Sequence, residues 1–281
     1  MLMDQKTLET RLADLNLPAI RYFDRTGSTN DEASRWITGG AVDRSLVVAD
    51  EQTSGRGRGD HRWMTLPGSG LAFSLILFPQ HFGPFIVPRR TAIGALAVKD
   101  ALQKIYGLSS QIKWPNDVLL NRKKVAGILA ENYWTGEDLK AVILGYGINV
   151  THSSIDPAKL PVQRLTFPAT CVEEVLGRPV DRIELLHAVL HEFFAWRPRL
   201  SSPEFLREWE ASLAFRGEWV QVTTGESYGK DGLPIDLEQA PKPVGEGKVL
   251  GLAPDGGLRL LTRSGETVTA QFGEVRLRPQ S

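Results

Sequence analysis

The sequence predicts an α/β (α+β) protein, with a large domain over residues 1–215 and a small antiparallel β-barrel over residues 216–281. Three observations predict it. Apolar strand-length runs at Leu46–Asp50, Leu71–Phe78 and Ala141–Val150 alternate with segments of helical period. From about Arg216 the texture changes to short β runs separated by turn clusters. The chain has 281 residues, 42% hydrophobic and 23% charged, enough for one large core and a smaller one.

In order, residues 1–17 read as a short amphipathic helix with Leu8, Leu12 and Leu15 on one side, ended by Pro18. Ile20–Phe23 is a short strand. Ser28 or Thr29 suits a helix N-cap, with Asp31 and Glu32 in the first turn and Gly39-Gly40 as the stop. Thr91–Tyr106 repeats Ile93, Ala97, Ala101 and Ile105 at helical spacing. Val118–Leu120 and Val125–Ala130 form a hairpin around Asn121–Lys124. Ala141–Val150 is a buried strand interrupted by Gly145 and Gly147, read either as a bulge or as close backbone approach by a ligand. Thr151–Phe167 is polar and proline-containing, a mobile loop.

Asp181 with Glu184 resembles a capping box opening a helix to about Trp196. His187 and His191 lie i,i+4 on it, but without an HExxH pattern or a third ligand they read as a plain surface or core pair. Phe205, Leu206 and Trp209 begin a shorter helix. Strands follow at Glu218–Thr223, Gly247–Leu252, Leu258–Arg263, Thr267–Phe272 and Glu274–Arg278, with a polar loop insertion at about 228–244.

Lys+Arg and Asp+Glu both number 33, so net charge favours neither nucleic acid nor acidic membranes. The single cysteine, Cys171, excludes an intrachain disulfide and argues against a cysteine-based zinc site. There is no apolar signal core near the N-terminus and no run of eighteen apolar residues, so no membrane span is expected.

Two stretches carry chemistry. Gly55–Trp63, GRGRGDHRW, packs three glycines and three arginines before a tryptophan. Glycine permits close backbone approach, exposed N–H groups form a nest for anionic oxygens, and the guanidinium fork fits phosphate or carboxylate. It reads either as a solvated turn or as a loop that closes over an anionic small molecule. In Ile112–Asp117, IKWPND, Lys113 is a point charge able to bridge anionic groups of two ligands. Pro115 fixes the turn, and Asn116 and Asp117 offer amide and carboxylate contacts. Ser28–Asn30 is either simply a cap or a cluster of hydrogen-bonding side chains lining a pocket.

GRGRGDHRW, then KWPND, then the glycine-bearing GYGINV, in that order, resembles the biotin protein ligases (biotin–acetyl-CoA-carboxylase ligases), in the short form without an N-terminal DNA-binding domain. Smaller likenesses lie at Ser28-Thr29-Asn30, at VAGILA over Val125–Ala130 and at GEVRLRP near the end, so the resemblance spans about Phe23 to Arg278. It implies a mixed-sheet catalytic domain related to class II aminoacyl-tRNA synthetases, followed by an SH3-like barrel. It implies an ATP-dependent, carbon–nitrogen-bond-forming reaction: biotin and ATP give biotinoyl-5'-AMP with magnesium, and biotin then passes to a lysine of a biotin carboxyl carrier domain.

By matching motifs, Lys113 and Arg58 are the candidate catalytic residues. The candidate biotin contacts are Ser28, Thr29, Asn30, Gln52, Gly55, Arg56, Gly57, Arg58, Lys113, Gly127, Gly145 and Gly147. The candidate ATP and adenylate contacts are Arg56, Arg58, Trp63, Lys113, Asn116, Lys124, Asn149 and Arg278, with Glu274 beside the last. Asp117 is the candidate magnesium contact. A cytoplasmic setting is expected, and no specific DNA binding; an exposed sheet edge is compatible with a homodimer, which no stretch of the sequence decides.

The sequence departs from the family pattern after GRGR. Gly59, Asp60 and His61 stand where the family usually has a basic residue, glycine and another basic residue. The competing readings are a lipoate or octanoate enzyme of the same fold, a non-catalytic biotin or nucleotide sensor, and an RNA-binding arginine-glycine loop. GRGR with KWPND argues against the first, the retained Lys113 and Arg58 against the second, and zero net charge against the third.

Overall fold

A computed structural model describes residues 3–58, 61–79, 87–156, 158, 167–224, 245–270 and 275–279. Asp4 caps the first helix, α1 (Gln5–Arg11), by accepting from the Thr7 N–H at 2.7 Å. A 3-10 turn at Ala13–Leu15 follows, and Leu8, Leu12 and Leu15 are buried as their spacing predicts.

The large sheet contains β1 (Ile20–Thr26), β2 (Leu46–Arg56), β3 (Arg62–Thr65), β4 (Gly70–Leu77), β5 (Ser110–Lys113), β6 (Asp117–Leu120), β7 (Lys123–Thr135) and β8 (Asp138–Asn149). Its order is β1-β2-β4-β8-β7-β6-β5, with β3 paired to β2. β1 and β2 run parallel and the other pairs antiparallel, so the sheet is mixed. One face packs on α3 (Val87–Tyr106) and, through it, on α5 (Arg182–Trp196); the short α4 (Val172–Leu176) and α6 (Pro203–Ala211) complete that layer. The other face carries α2 (Thr29–Thr38) over a small apolar cluster of Ala33, Trp36, Val47, Ile76 and Ile143.

The period of two on β8 separates the faces. Leu144, Tyr146 and Ile148 belong to the core under α3, where the Tyr146 ring stacks on Phe73 at 4.4 Å. Gly145, Gly147 and Asn149 point the other way. The bulge reading of these glycines is wrong: pairing of β8 with β4 is continuous from Leu77↔Val142 to Gly70↔Asn149, and with β7 from Ala126↔Ile148 to Tyr133↔Ala141. The glycines lie in regular strand.

The stretch read as one loop is largely a hairpin. Gly55 and Arg56 belong to β2, Arg62 and Trp63 to β3, with Gly55 opposite Trp63 and Arg56 opposite Arg62. A register shift between Gln52 and Gly55 turns the ribbon. Gly59 and Asp60 lie outside the described residues, as do Glu274 and the 228–244 insertion. The stretch read as a loop at Thr151–Phe167 opens with a 3-10 turn, His152–Ile155; residues 157 and 159–166 lie outside the described residues.

The expected capping at Asp181 is present, its carboxylate accepting from the Ile183 and Glu184 N–H groups at 2.9 and 3.2 Å. The rings of the histidine pair stack at 6.4 Å, His187 bonds Asp14 at 2.8 Å and His191 bonds Glu192 at 3.0 Å.

The second sheet contains β9 (Trp219–Thr224), β10 (Gly245–Leu252), β11 (Leu258–Leu261), β12 (Thr267–Ala270) and β13 (Val275–Pro279), all antiparallel, in the order β12-β11-β10-β9-β13. This small antiparallel sheet fits an SH3-like domain. It is fastened to the first through Trp114, whose buried indole N–H donates to the Gly256 carbonyl at 2.9 Å, and through the Arg122–Glu218 fork at 2.8 and 2.9 Å. Among the described residues no helix is long and apolar enough to cross a membrane.

Candidate active site

One cavity of about 130 Å³ lies on the α2 face of the large sheet. Its lining brings together Ser28, Thr29, Asn30, Gln52, Arg56, Gly57, Arg58, Trp63, Lys113, Asn116, Asp117, Lys124, Gly127, Gly145, Gly147 and Asn149, from segments more than 100 residues apart. Among the described residues, Gly55 does not join them. A side chain at 55 would collide with the Gln52 amide and the Trp63 carbonyl, so this glycine makes room for the Gln52–Trp63 hydrogen bond of 3.2 Å and does not line the cavity. Arg278 lies on β13 opposite Gln221, and its side chain is outside the described residues.

The floor follows from strand register. Gly127, Gly147 and Ala72 form one row across β7, β8 and β4, and Leu129, Gly145 and Ser74 form the next. The Trp63 ring lies directly on Gly147, where any Cβ would overlap it, and its edge is 3.4 Å from a Cβ position on Gly127. A Cβ on Gly145 would overlap the Asn30 side chain. Glycine is needed here for room rather than for backbone freedom.

The inner end is a buried polar cluster. Ser28 occupies the N-cap position of α2 but makes no side-chain capping bond, so its buried hydroxyl is not spent on the helix. The Gln52 carbonyl oxygen accepts from the Thr29 N–H at 2.9 Å and from its hydroxyl at 3.1 Å. Ser74 stands within 2.7 Å of the Thr29 hydroxyl and 2.6 Å of the Asn30 carbonyl oxygen. Buried polar groups demand such partners. Ser74 escapes a sequence reading because it sits inside the apolar run LAFSLIL. Its one signal is that a hydroxyl in a fully buried strand needs a reason.

The outer end carries the charge. Lys113 closes β5, and Asp117 opens β6 directly opposite it. The two Asp117 oxygens face two ammonium groups, Lys113 at 2.8 Å and Lys124 at 2.6 Å, with side chains only 12%, 8% and 26% exposed for Lys113, Asp117 and Lys124. Burial alone would raise the Asp117 pKa; the charges of Lys113 and then Lys124 outweigh it and hold the carboxyl well below the usual carboxylate range. Oδ2 accepts a hydrogen bond from Lys113 and Oδ1 faces Lys124 as an ion pair. Two cations around one anion leave a net positive charge facing the cavity.

The turn between the strands, with a cis Trp114–Pro115 bond, presents Asn116. Its backbone and side-chain amide both bond Ile128, at 3.0 and 3.1 Å, and its side-chain carbonyl lies 3.5 Å from the Arg58 guanidinium. Lys124 also lies over the Trp63 ring at 5.5 Å, and Lys113 over Phe167 at 5.0 Å. The Asn149 amide donates to the Thr170 carbonyl at 3.2 Å.

Arg56 behaves differently from the reading of its motif. Its guanidinium is held by Glu131 at 3.1 and 3.0 Å and by Asp31 at 2.7 Å. Glu131 is a second residue the sequence does not single out. Elsewhere, His152, Cys171 and Glu174 bring three potential metal ligand atoms within 4.8 Å, an arrangement the single cysteine did not suggest. Glu174 accepts from Thr170 at 2.9 Å, and burial pushes the Cys171 thiol up.

The fold and floor set the class of protein first: residues 22–149 match the Biotin/lipoate A/B protein ligase family. The chain is 36% identical over 212 residues to the biotin–acetyl-CoA-carboxylase ligase of Paracoccus denitrificans, covering 73% of this chain and 86% of that one. It is 36% identical over 169 residues to the bifunctional ligase/repressor BirA of Bacillus subtilis, covering 60% of this chain and spanning 50% of that relative's length. The solved structure of the biotin protein ligase from Aquifex aeolicus in complex with biotin and ATP superposes with a TM-score of 0.74 at 28% identity, covering 94% of this chain and 100% of that one. The chain belongs to the biotin protein ligase family.

Proposed function

We propose that this protein is an ATP-dependent biotin protein ligase, with residues 1–215 as its catalytic domain and 216–281 as its barrel. The carrying observation is that one cavity joins the polar Ser28–Thr29–Gln52 end to the net-positive Lys113–Asp117–Lys124 end. The ureido ring of biotin is polar on every edge, and the first end offers donors and acceptors to match it. The carboxylate and the triphosphate repel each other, and the second end supplies the charge that lets them meet.

In the first step a biotin carboxylate oxygen attacks the α-phosphorus and the bond to pyrophosphate breaks. Lys113 and Arg58 stabilise the developing negative charge, and positioning supplies most of the rest. Asp117 holds Lys113 in place. Magnesium would accompany the nucleotide in this reading, with Asp117 as its candidate protein contact. Trp63 and Arg58, carried on the hairpin, cover the mixed anhydride and shield it from water. In the second step the amine of a carrier lysine attacks the acyl carbon and AMP leaves. The carrier is a biotin carboxyl carrier domain, and the reaction belongs to the cytoplasm.

The test is exchange of labelled pyrophosphate into ATP by purified protein without carrier. Exchange with biotin but not with lipoate is expected. Exchange with lipoate alone would move the protein to the other branch of its family, and biotin binding without exchange would make it a sensor.

A further inference from the structure

Glu131 lies on β7 one row beyond Leu129, on the face that carries the cavity floor. Its carboxylate joins three elements. Oε1 accepts from Arg56 Nε at 3.1 Å; Oε2 accepts from Arg56 Nη2 at 3.0 Å and from the Asn30 amide at 2.6 Å. The remaining edge of the Arg56 guanidinium meets Asp31 at 2.7 Å, in the first turn of α2, where a negative charge is already favoured. Sheet, helix and hairpin are thus tied at one point.

We propose that Glu131 is a positioning residue, and that with Asp31 it latches the paired ends of β2 and β3 over the site through Arg56. The hairpin carries Arg58 and Trp63, which line the cavity, and its Arg56 has a carboxylate on either side. A guanidinium held by a fork is fixed in direction as well as distance. The same carboxylate orients Asn30, whose amide nitrogen turns to Glu131 and whose oxygen turns to Ser74. The polar end of the cavity and the closed hairpin therefore share one anchor. The Arg56, Asp31 and Glu131 side chains are 43%, 40% and 32% exposed, so water competes for them and the latch opens reversibly.

The role of the latch in retaining the adenylate rests on the ligase reading; the latch itself does not. Amide hydrogen exchange on the ligand-free, full-length protein tests it directly, comparing wild type with Glu131→Gln and Asp31→Asn. In Glu131→Gln the new amide sets a donor against the Asn30 amide and removes the charge facing Arg56. Exchange in peptides spanning 53–65 is expected to quicken several-fold in both variants, with α3 and β9 unchanged. Unchanged hairpin exchange in both variants, or a general rise across every peptide, would overturn the latch. Where wild type makes adenylate, its escape into solution is expected to rise about tenfold in Glu131→Gln, a larger change than the fall in its rate of formation. Equal losses in both would mark Glu131 as merely structural. If wild type makes no adenylate, the ligase reading fails and the exchange result still decides the latch.

Discussion

Two charge triads flank the cavity with opposite polarity. In one, Asp117 lies between Lys113 and Lys124; in the other, Arg56 lies between Glu131 and Asp31. The first is built on adjoining strands of the sheet and is nearly sealed from water. The second bridges a hairpin to the rest of the domain and is roughly two-fifths exposed. Interactions of the same kind thus serve different ends. In the proposed reaction the first, sealed and fixed, holds cations ready for a reacting anion, and the second, wet and bridging the hairpin, governs whether the first is covered.

Breaking the comparison at its strongest point means removing Lys113. Lys113→Ala is expected to lower biotin-dependent pyrophosphate exchange by ~10³-fold or more, without loss of fold by circular dichroism. Near wild-type exchange would take Lys113 out of the chemistry. Asp117→Asn is expected to cost less, ~10²-fold, because both lysines remain while their orientation is lost. It has a second signature. The Asp117 pKa is depressed in the fold, so its contribution to stability is complete above the ordinary carboxylate range and is lost as pH falls below it. Asp117→Asn should therefore lower stability at neutral pH and flatten its decline below about pH 4, as chemical denaturation across pH would report. An unaltered acid limb would mean that the triad does not depend on that charge.

Salt separates the two triads most gently. Raising ionic strength from 0.15 M to 1 M shortens the screening length from ~8 to ~3 Å, which affects exposed pairs far more than sealed ones. Amide exchange in the hairpin should then rise about two- to fivefold while the β5–β6 turn stays unchanged. Parallel changes in both would erase the distinction.

Much of this was legible in the chain. The apolar runs located the core strands, the turn clusters located the second sheet, and Gly145 and Gly147 pointed to the floor. The long-range partnerships were not legible. Asn30 and Glu131 are 101 residues apart, and Arg56 and Glu131 are 75 apart. No periodicity encodes such pairs; they exist because strand order brings β2, β7 and the start of α2 to one edge of the site. Arg56 and Arg58 look equivalent in the sequence. The hairpin separates them, turning one to two carboxylates and leaving the other beside Asn116. Ser74 was hidden for the opposite reason, one hydroxyl in an otherwise apolar strand.

The floor has a consequence for how this site can change over time. Gly127, Gly145 and Gly147 already hold the smallest residue that the genetic code offers, with other side chains resting against all three positions. Mutation there runs in one direction: it can narrow the site and never widen it. A lineage, or an engineer, seeking to admit a bulkier acid has to work at Leu129 or at the hairpin above.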